Sequence, residues 1–147
     1  MITESLSGKR IAVTGSTGFL GTALVERLLR SVPDCELVLL VRPTRRNSAE
    51  RRVEREVLRN DAFERLRSQW GDDFDEICQR RVAVVSGDVS SEGLDLSEAD
   101  RQIFVSCDVI IHSAATVSFD SPLDSSIEIN LLAFSYTHLT LPTILLV

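Results

Sequence analysis

The sequence predicts a doubly wound α/β fold built on a parallel sheet. Three observations carry this expectation. Short apolar runs recur at 10–14, 36–41, 81–86 and 108–112, amphipathic stretches separate them, and the first run stops at a glycine-rich turn that opens a helix. Strands alternating with helices imply right-handed crossovers. At 147 residues and 44% hydrophobic content the chain is long enough for one domain with a real core and too short for two.

Taken in order, Arg-Ile-Ala-Val-Thr at 10–14 is a short apolar run ending at glycine, the start of a buried parallel strand. From 19 to 30, Leu20, Ala23, Leu24, Leu28 and Leu29 recur at helical spacing, leaving Glu26, Arg27 and Arg30 for solvent. Pro33 and Asp34 end that helix. Glu-Leu-Val-Leu-Leu-Val at 36–41 is the second strand, closed by Arg42 and Pro43, since proline cannot continue a central ladder. The charged stretch at 45–81 places Val53, Val57, Leu58, Phe63, Leu66 and Trp70 at roughly helical intervals. It predicts two or three amphipathic helices forming a solvated crossover with an insertion. Strands at 81–86 and 108–112 follow, the first ending in Gly87-Asp88-Val89 and the second in Ser113-Ala114-Ala115.

Composition narrows the partners. Sixteen Lys and Arg against 22 Asp and Glu, a net charge of −6, argue against nucleic acid or an anionic membrane as the main partner. Cys35, Cys78 and Cys107 lie far apart, with no Cys-x-x-Cys pair, so neither a zinc site nor a disulfide framework is expected. The first residues lack a basic region followed by an apolar one, and no later run approaches the ~20 apolar residues of a membrane helix. A cytoplasmic chain with no membrane segment is the expectation.

The chemistry sits in the turn. Gly15, Gly18 and Gly21 are spaced Gly-x-x-Gly-x-x-Gly between an apolar strand and an amphipathic helix, the context that makes this a dinucleotide-binding Rossmann signature. Gly15 permits the sharp turn, Gly18 lets a pyrophosphate approach the backbone, and Gly21 allows close packing of helix on strand. Ser16 and Thr17 add hydroxyls, and the helix start at Phe19 and Leu20 offers free N–H groups to an anion. At the end of the second strand an acidic residue would bind a ribose 2′-hydroxyl, whereas an arginine accommodates a 2′-phosphate. Arg42 stands there, with Arg45 and Arg46 close behind, so NADPH is expected over NADH. The alternative for Arg45 and Arg46 is that they coat an exposed loop.

These motifs resemble the fatty acyl-CoA reductases of the extended short-chain dehydrogenase/reductase superfamily. The resemblance rests on the glycine turn, Leu-Leu-Val-Arg-Pro, Gly87-Asp88-Val89, and His112-Ser113-Ala114-Ala115-Thr116-Val117-Ser118-Phe119 with Asn130-Leu131-Leu132. It covers Lys9 to about Ala133 and extends to the thioester-reductase domains of carboxylic acid reductases. It implies that Asp88 and Val89 contact the adenine ring, Ala114 and Ala115 pass the nicotinamide ribose, and Asn130 lies beside the active site. It further implies that Thr116, Ser118 and Phe119 line the entry for a fatty acyl-CoA. Each has a plainer reading: Asp88 as a turn cap, the alanines as packing, Asn130 as an ordinary helix residue. His112 reads as a strand-end residue rather than an acid or base.

The pattern breaks at the catalytic pair. Thioester reduction in this family needs a tyrosine acid with a lysine one helical turn later, whose charge lowers the tyrosine pKa. The one tyrosine is Tyr136, followed four residues on by Thr140, and the one lysine is Lys9. No catalytic Tyr-Lys pair can form from these residues. Residues 135–143, Ser-Tyr-Thr-His-Leu-Thr-Leu-Pro-Thr, match the in-frame translation of a transposon-end adapter used in sequencing libraries. The expected organisation is therefore an incomplete NADP-binding domain over 1–134 and a non-native tail over 135–147. The alternative, a terminal strand over 140–147, is disfavoured by Pro142. Function is expected to be the NADPH-binding part of an acyl-CoA reductase, inactive by itself. The competing readings are an NADP sensor without catalysis and a nucleotide-sugar epimerase; the second would carry an acid in place of Arg42.

Overall fold

A computed structural model describes residues 1–115 and 122–133 in full and 144–146 as backbone. In chain order the elements are α1 (Ile2–Leu6), β1 (Arg10–Thr14), α2 (Phe19–Ser31), β2 (Glu36–Val41), α3 (Ala49–Arg52), α4 (Glu64–Trp70), α5 (Phe74–Arg81), β3 (Val82–Ser86), α6 (Glu98–Val105), β4 (Val109–His112), α7 (Leu123–Ile127) and β5 (Ile144–Leu146). Two of the helices run on as π-helical turns, α3 through Val53–Leu58 and α7 through Glu128–Leu132.

The sheet order is β3-β2-β1-β4-β5, with every pair parallel. Chain order reverses across β1, which makes the carboxyl end of β1 the switch point where such sheets bind ligands. Thr14 is in register with Leu40 on one side and His112 on the other, so three strand ends stand level there. The period-two alternation of strand side chains splits the core into two layers. Ile11, Val13, Leu37, Leu39, Val41 and Ile111 face α2 and the helices of 49–78, whereas Ala12, Val38, Leu40 and Ile110 face Leu94 and Phe104.

The structure shifts several sequence expectations. Arg81 closes α5 instead of opening β3, and Val109 instead of Asp108 opens β4. On α2 the buried face carries Gly21, Thr22, Val25, Glu26, Leu28 and Leu29, while Leu20 and Ala23 face outward. Glu26, expected in solvent, is buried because Arg30 folds over it, with Nε–Oε1 at 2.7 Å. The charged 45–81 stretch is more than a wet crossover: Val53, Val57, Phe63, Leu66, Phe74 and Cys78 all enter the core. Phe63 meets Phe74 edge-on at 6.5 Å, an arrangement favoured by the ring quadrupoles. Within the expected tail, Ile144–Leu146 pairs with β4, a fifth strand where four were expected. An apolar triplet of strand-forming residues meets the open edge of β4 beyond Pro142, so the proline does not interrupt the ladder.

Candidate functional site

The loops that leave β1, β2, β3 and β4 enclose a cleft of about 380 Å³ at the switch point. Its walls are Gly15, Thr17 and Gly18 from the glycine turn, Leu40, Val41 and Arg42 from β2, Arg52 from α3, Gly87, Asp88 and Val89 after β3, Ser113, Ala114 and Ala115 after β4, and Ile129 from the π turn that follows α7.

The turn is shaped by what a side chain would strike. Gly15 has φ +73°, and a Cβ there would stand 2.5 Å from the Ala114 nitrogen and 2.6 Å from the Ser113 carbonyl carbon. The β4 exit loop can press against β1 only because Gly15 has no side chain. A Cβ on Gly21 would overlap the Gly15 carbonyl, so this glycine is required by closure of the turn upon itself rather than by packing on a neighbouring strand. Gly18 donates its N–H to the Gly15 carbonyl at 3.0 Å and starts α2 with no side-chain cap. The first N–H groups of a helix have no partner within it, so Phe19, Leu20 and Gly21 offer backbone donors, while the Phe19 side chain is 97% exposed.

Hydroxyls stitch β1 to β4 beneath the cleft. The Ser113 hydroxyl and N–H both donate to the Thr14 carbonyl, at 2.8 and 3.2 Å, and the Ala114 N–H reaches Thr14 Oγ1 at 3.4 Å. Thr14 Oγ1 is also 2.7 Å from His112 Nδ1. His112 ends β4 with only 8% exposure, and burial holds its imidazole below the ordinary histidine value. Its Nε2 and the Ser16 hydroxyl are buried without partners among the described residues.

At the far end, Asp88 is set by the turn after β3. Its N–H donates to the Leu94 carbonyl at 2.8 Å, and its carboxylate accepts from the Ser90 N–H and hydroxyl at 2.9 and 2.7 Å. Burial pushes this carboxyl up, but the two Ser90 bonds and the nearby Arg42 guanidinium outweigh it, and the group sits below the usual aspartate value. Arg42 Nη1 lies 3.4 Å from Asp88 Oδ2 with its side chain mostly exposed. Arg52 was not among the residues expected from sequence, because it reads as one charge in an arginine-rich run. It folds back to donate Nη1 to the Arg42 carbonyl at 2.7 Å while Glu56 holds Nε and Nη2 at 2.8 and 2.7 Å.

Of the residues expected at the site, Gly15, Thr17, Gly18, Arg42, Asp88, Val89, Ala114 and Ala115 converge on the cleft. Ser16 is buried beneath the turn, and Phe19, Leu20 and Gly21 belong to the helix start rather than to the wall. Arg45 is exposed on the loop after β2, away from the wall, and Asn130 lies on the π turn after α7, one residue past Ile129. Thr116, Ser118 and Phe119, and with them Tyr136 and Thr140, fall outside the described residues. Leu40, Val41, Gly87, Ser113 and Ile129 join the wall unforeseen; the first two read only as strand core, although level strand ends could have flagged them.

Residues 13–138 match the model of the male sterility protein family, an NAD-binding domain. The chain belongs to that family. It is 39% identical to fatty acyl-CoA reductase 1 of Rattus norvegicus over 90% of this chain and 25% of that protein. It is 36% identical to the alcohol-forming fatty acyl-CoA reductase of Simmondsia chinensis, over 92% of this chain and 28% of that one. The chain thus spans about a quarter of the curated relatives it matches. Among solved structures it resembles the terminal R domain of the myxalamid pathway, with a TM-score of 0.69, 28% identity, and coverage of 93% of this chain and 34% of that one. It also resembles the reductase domain of a non-ribosomal peptide synthetase from Mycobacterium tuberculosis, at a TM-score of 0.64 and 29% identity over 92% of this chain and 32% of that one. The chain thus shares its fold with reductase domains, and the cleft lies at the switch point where open α/β sheets of this kind bind ligands. No helix among the described residues is long and apolar enough to cross a membrane.

Proposed function

We propose that this chain is the NADPH-binding N-terminal part of a fatty acyl-CoA reductase, an enzyme that reduces a long-chain fatty acyl-CoA thioester to a fatty alcohol or aldehyde. The observation that carries the reading is Arg42, a guanidinium at the end of β2 where an acid would accept from a ribose 2′-hydroxyl. The residues present fit the cofactor. Gly18 leaves the turn open toward the cleft, the uncapped start of α2 offers donors for a pyrophosphate, and Asp88 is held ionised as an acceptor for an adenine amino group. Ala114 and Ala115 are small enough to let a ribose lie along the β4 exit.

When bound, NADPH supplies a hydride for the thioester carbonyl. The residues of this chain hold and orient that group. Thr14 and Ser113 lock the two loops that flank it, and the exposed Arg42 guanidinium supplies positive charge at the adenosine end. The proton needed by the reduced carbonyl is not supplied here, because the lone tyrosine and lysine, Tyr136 and Lys9, cannot form the family's pair. The chain binds cofactor without turning over acyl-CoA. An NADP sensor would share this binding behaviour; the gene's continuation separates the two, since a downstream Tyr-x-x-x-Lys and substrate domain supports the enzyme.

Fluorescence titration tests the proposal. NADPH should bind at least ~10-fold tighter than NADH, as one charge-assisted bond to a 2′-phosphate implies, and Arg42→Ala should bring the two together. Equal affinity of the unaltered chain for both cofactors refutes the NADPH assignment, and turnover of an acyl-CoA refutes the binding-only role.

A further inference from the structure

The loop from β2 to α3 has a built geometry. Pro43 follows Arg42 and has no N–H to give the ladder, so beyond Val41 the chain is not held by strand pairing. It is closed instead by the Thr44 N–H on the Asn47 carbonyl at 2.9 Å, and Ser48 then caps α3 by accepting from the Arg51 N–H at 3.3 Å. That start places Arg52 on the turn of α3 that faces back toward β2. Each of its three guanidinium nitrogens is engaged: two bonds to the Glu56 carboxylate one turn further on, and one to the carbonyl of Arg42. Arg52 is only 18% exposed, whereas Arg42, which it grips, is 66% exposed.

We propose that Arg52 is the positioning residue for 2′-phosphate recognition, acting through the backbone of Arg42 and itself held by Glu56. The proposal rests on the NADPH reading. An exposed arginine has several rotatable bonds, and fixing its backbone lowers the entropy lost when its guanidinium meets a phosphate. Because Glu56 neutralises Arg52 and occupies two faces of its fork, the contribution of Arg52 comes from geometry more than from charge. A lysine would keep the charge and lose the fork, since one ammonium cannot span both Glu56 oxygens and the Arg42 carbonyl in this arrangement.

The test compares adenosine 2′,5′-bisphosphate with 5′-AMP, which differ only in the 2′-phosphate, on the unaltered chain and on R42A, R52K and R52M. The unaltered chain should prefer the bisphosphate by at least ~10-fold. R42A should remove most of that preference. R52K and R52M should both cut it by roughly fivefold or more while 5′-AMP affinity stays within about threefold, because the pyrophosphate turn is untouched. If R52M fails to fold by circular dichroism, R52K alone decides. A preference retained in R52K overturns the positioning role and leaves the NADPH reading standing. No preference in the unaltered chain overturns the NADPH reading itself.

Discussion

Replacing Arg81 by methionine should destabilise the protein by about 3–5 kcal/mol, a large part of the ~5–15 kcal/mol available to a domain. Arg81 is 8% exposed. Its guanidinium donates to three carbonyls: Leu29 at 2.9 Å, Val32 at 2.5 Å and Cys35 at 3.0 Å, with Cys35 Sγ a further neighbour at 3.3 Å. Two of these carbonyls end α2, where the helix dipole favours a cation, and the third precedes β2. Each charge-assisted bond contributes about 1.5–3 kcal/mol, and their sum is reduced by several kcal/mol for burying the charge. Methionine matches the stem but removes all three donors, leaving the Val32 carbonyl only the Cys35 N–H at 3.3 Å. Urea unfolding followed by circular dichroism should show a lower midpoint at unchanged slope, and the melting temperature should fall by roughly 6–20 °C. Arg81→Lys should lie between, since one ammonium can reach only some of the three carbonyls. An R81M protein within about 1 kcal/mol of the parent would show that water or local rearrangement satisfies those carbonyls, and the reasoning would fail.

Other outcomes follow from the same contacts. Gly15→Ala should lower stability by roughly 2–4 kcal/mol and abolish measurable binding of a nicotinamide cofactor, because a Cβ at φ +73° strikes the Ala114 backbone; an unchanged melt would contradict this. His112 is depressed by burial, so above pH ~6.5 both folded and unfolded states are neutral there. As pH falls below that value the unfolded chain takes the proton first, and stability should decline until the lower folded value is passed. His112→Gln should flatten this part of the stability curve, and a slope that persists would assign it to another group. Burial pushes Cys78 and Cys107 up to about 11, so Ellman's reagent at about pH 8 should label neither in the native protein and both after unfolding. Rapid labelling of the folded chain would show that α5 or the turn between α6 and β4 opens readily.

Much of the fold is legible in the sequence because it follows from local chemistry. The β1 and β2 strands run over the expected 10–14 and 36–41, since continuous apolar runs bounded by glycine or proline admit few other states. Departures cluster where a long-range partner decides. Glu26 reads as solvent-facing until Arg30 covers it, and Arg81 reads as the start of a strand until α2 supplies carbonyls for its guanidinium. The apolar face of α2 lies toward Val25 instead of Ala23, because the sheet contact sets the rotation of the helix and a count of spacings does not.

The site divides in the same way. Sequence by itself determined that a glycine turn of dinucleotide-binding spacing opens a helix after β1 and that an arginine follows β2, because residue identity and local spacing suffice for each. Tertiary structure decided that Gly15 serves the approach of Ala114, that Gly21 serves the Gly15 carbonyl, and that Arg52 rather than Arg45 joins Arg42 at the cleft. These depend on which strand ends stand level and where a capped helix points its first turn. Such distances across the sheet and between loops are set only when the chain folds against itself.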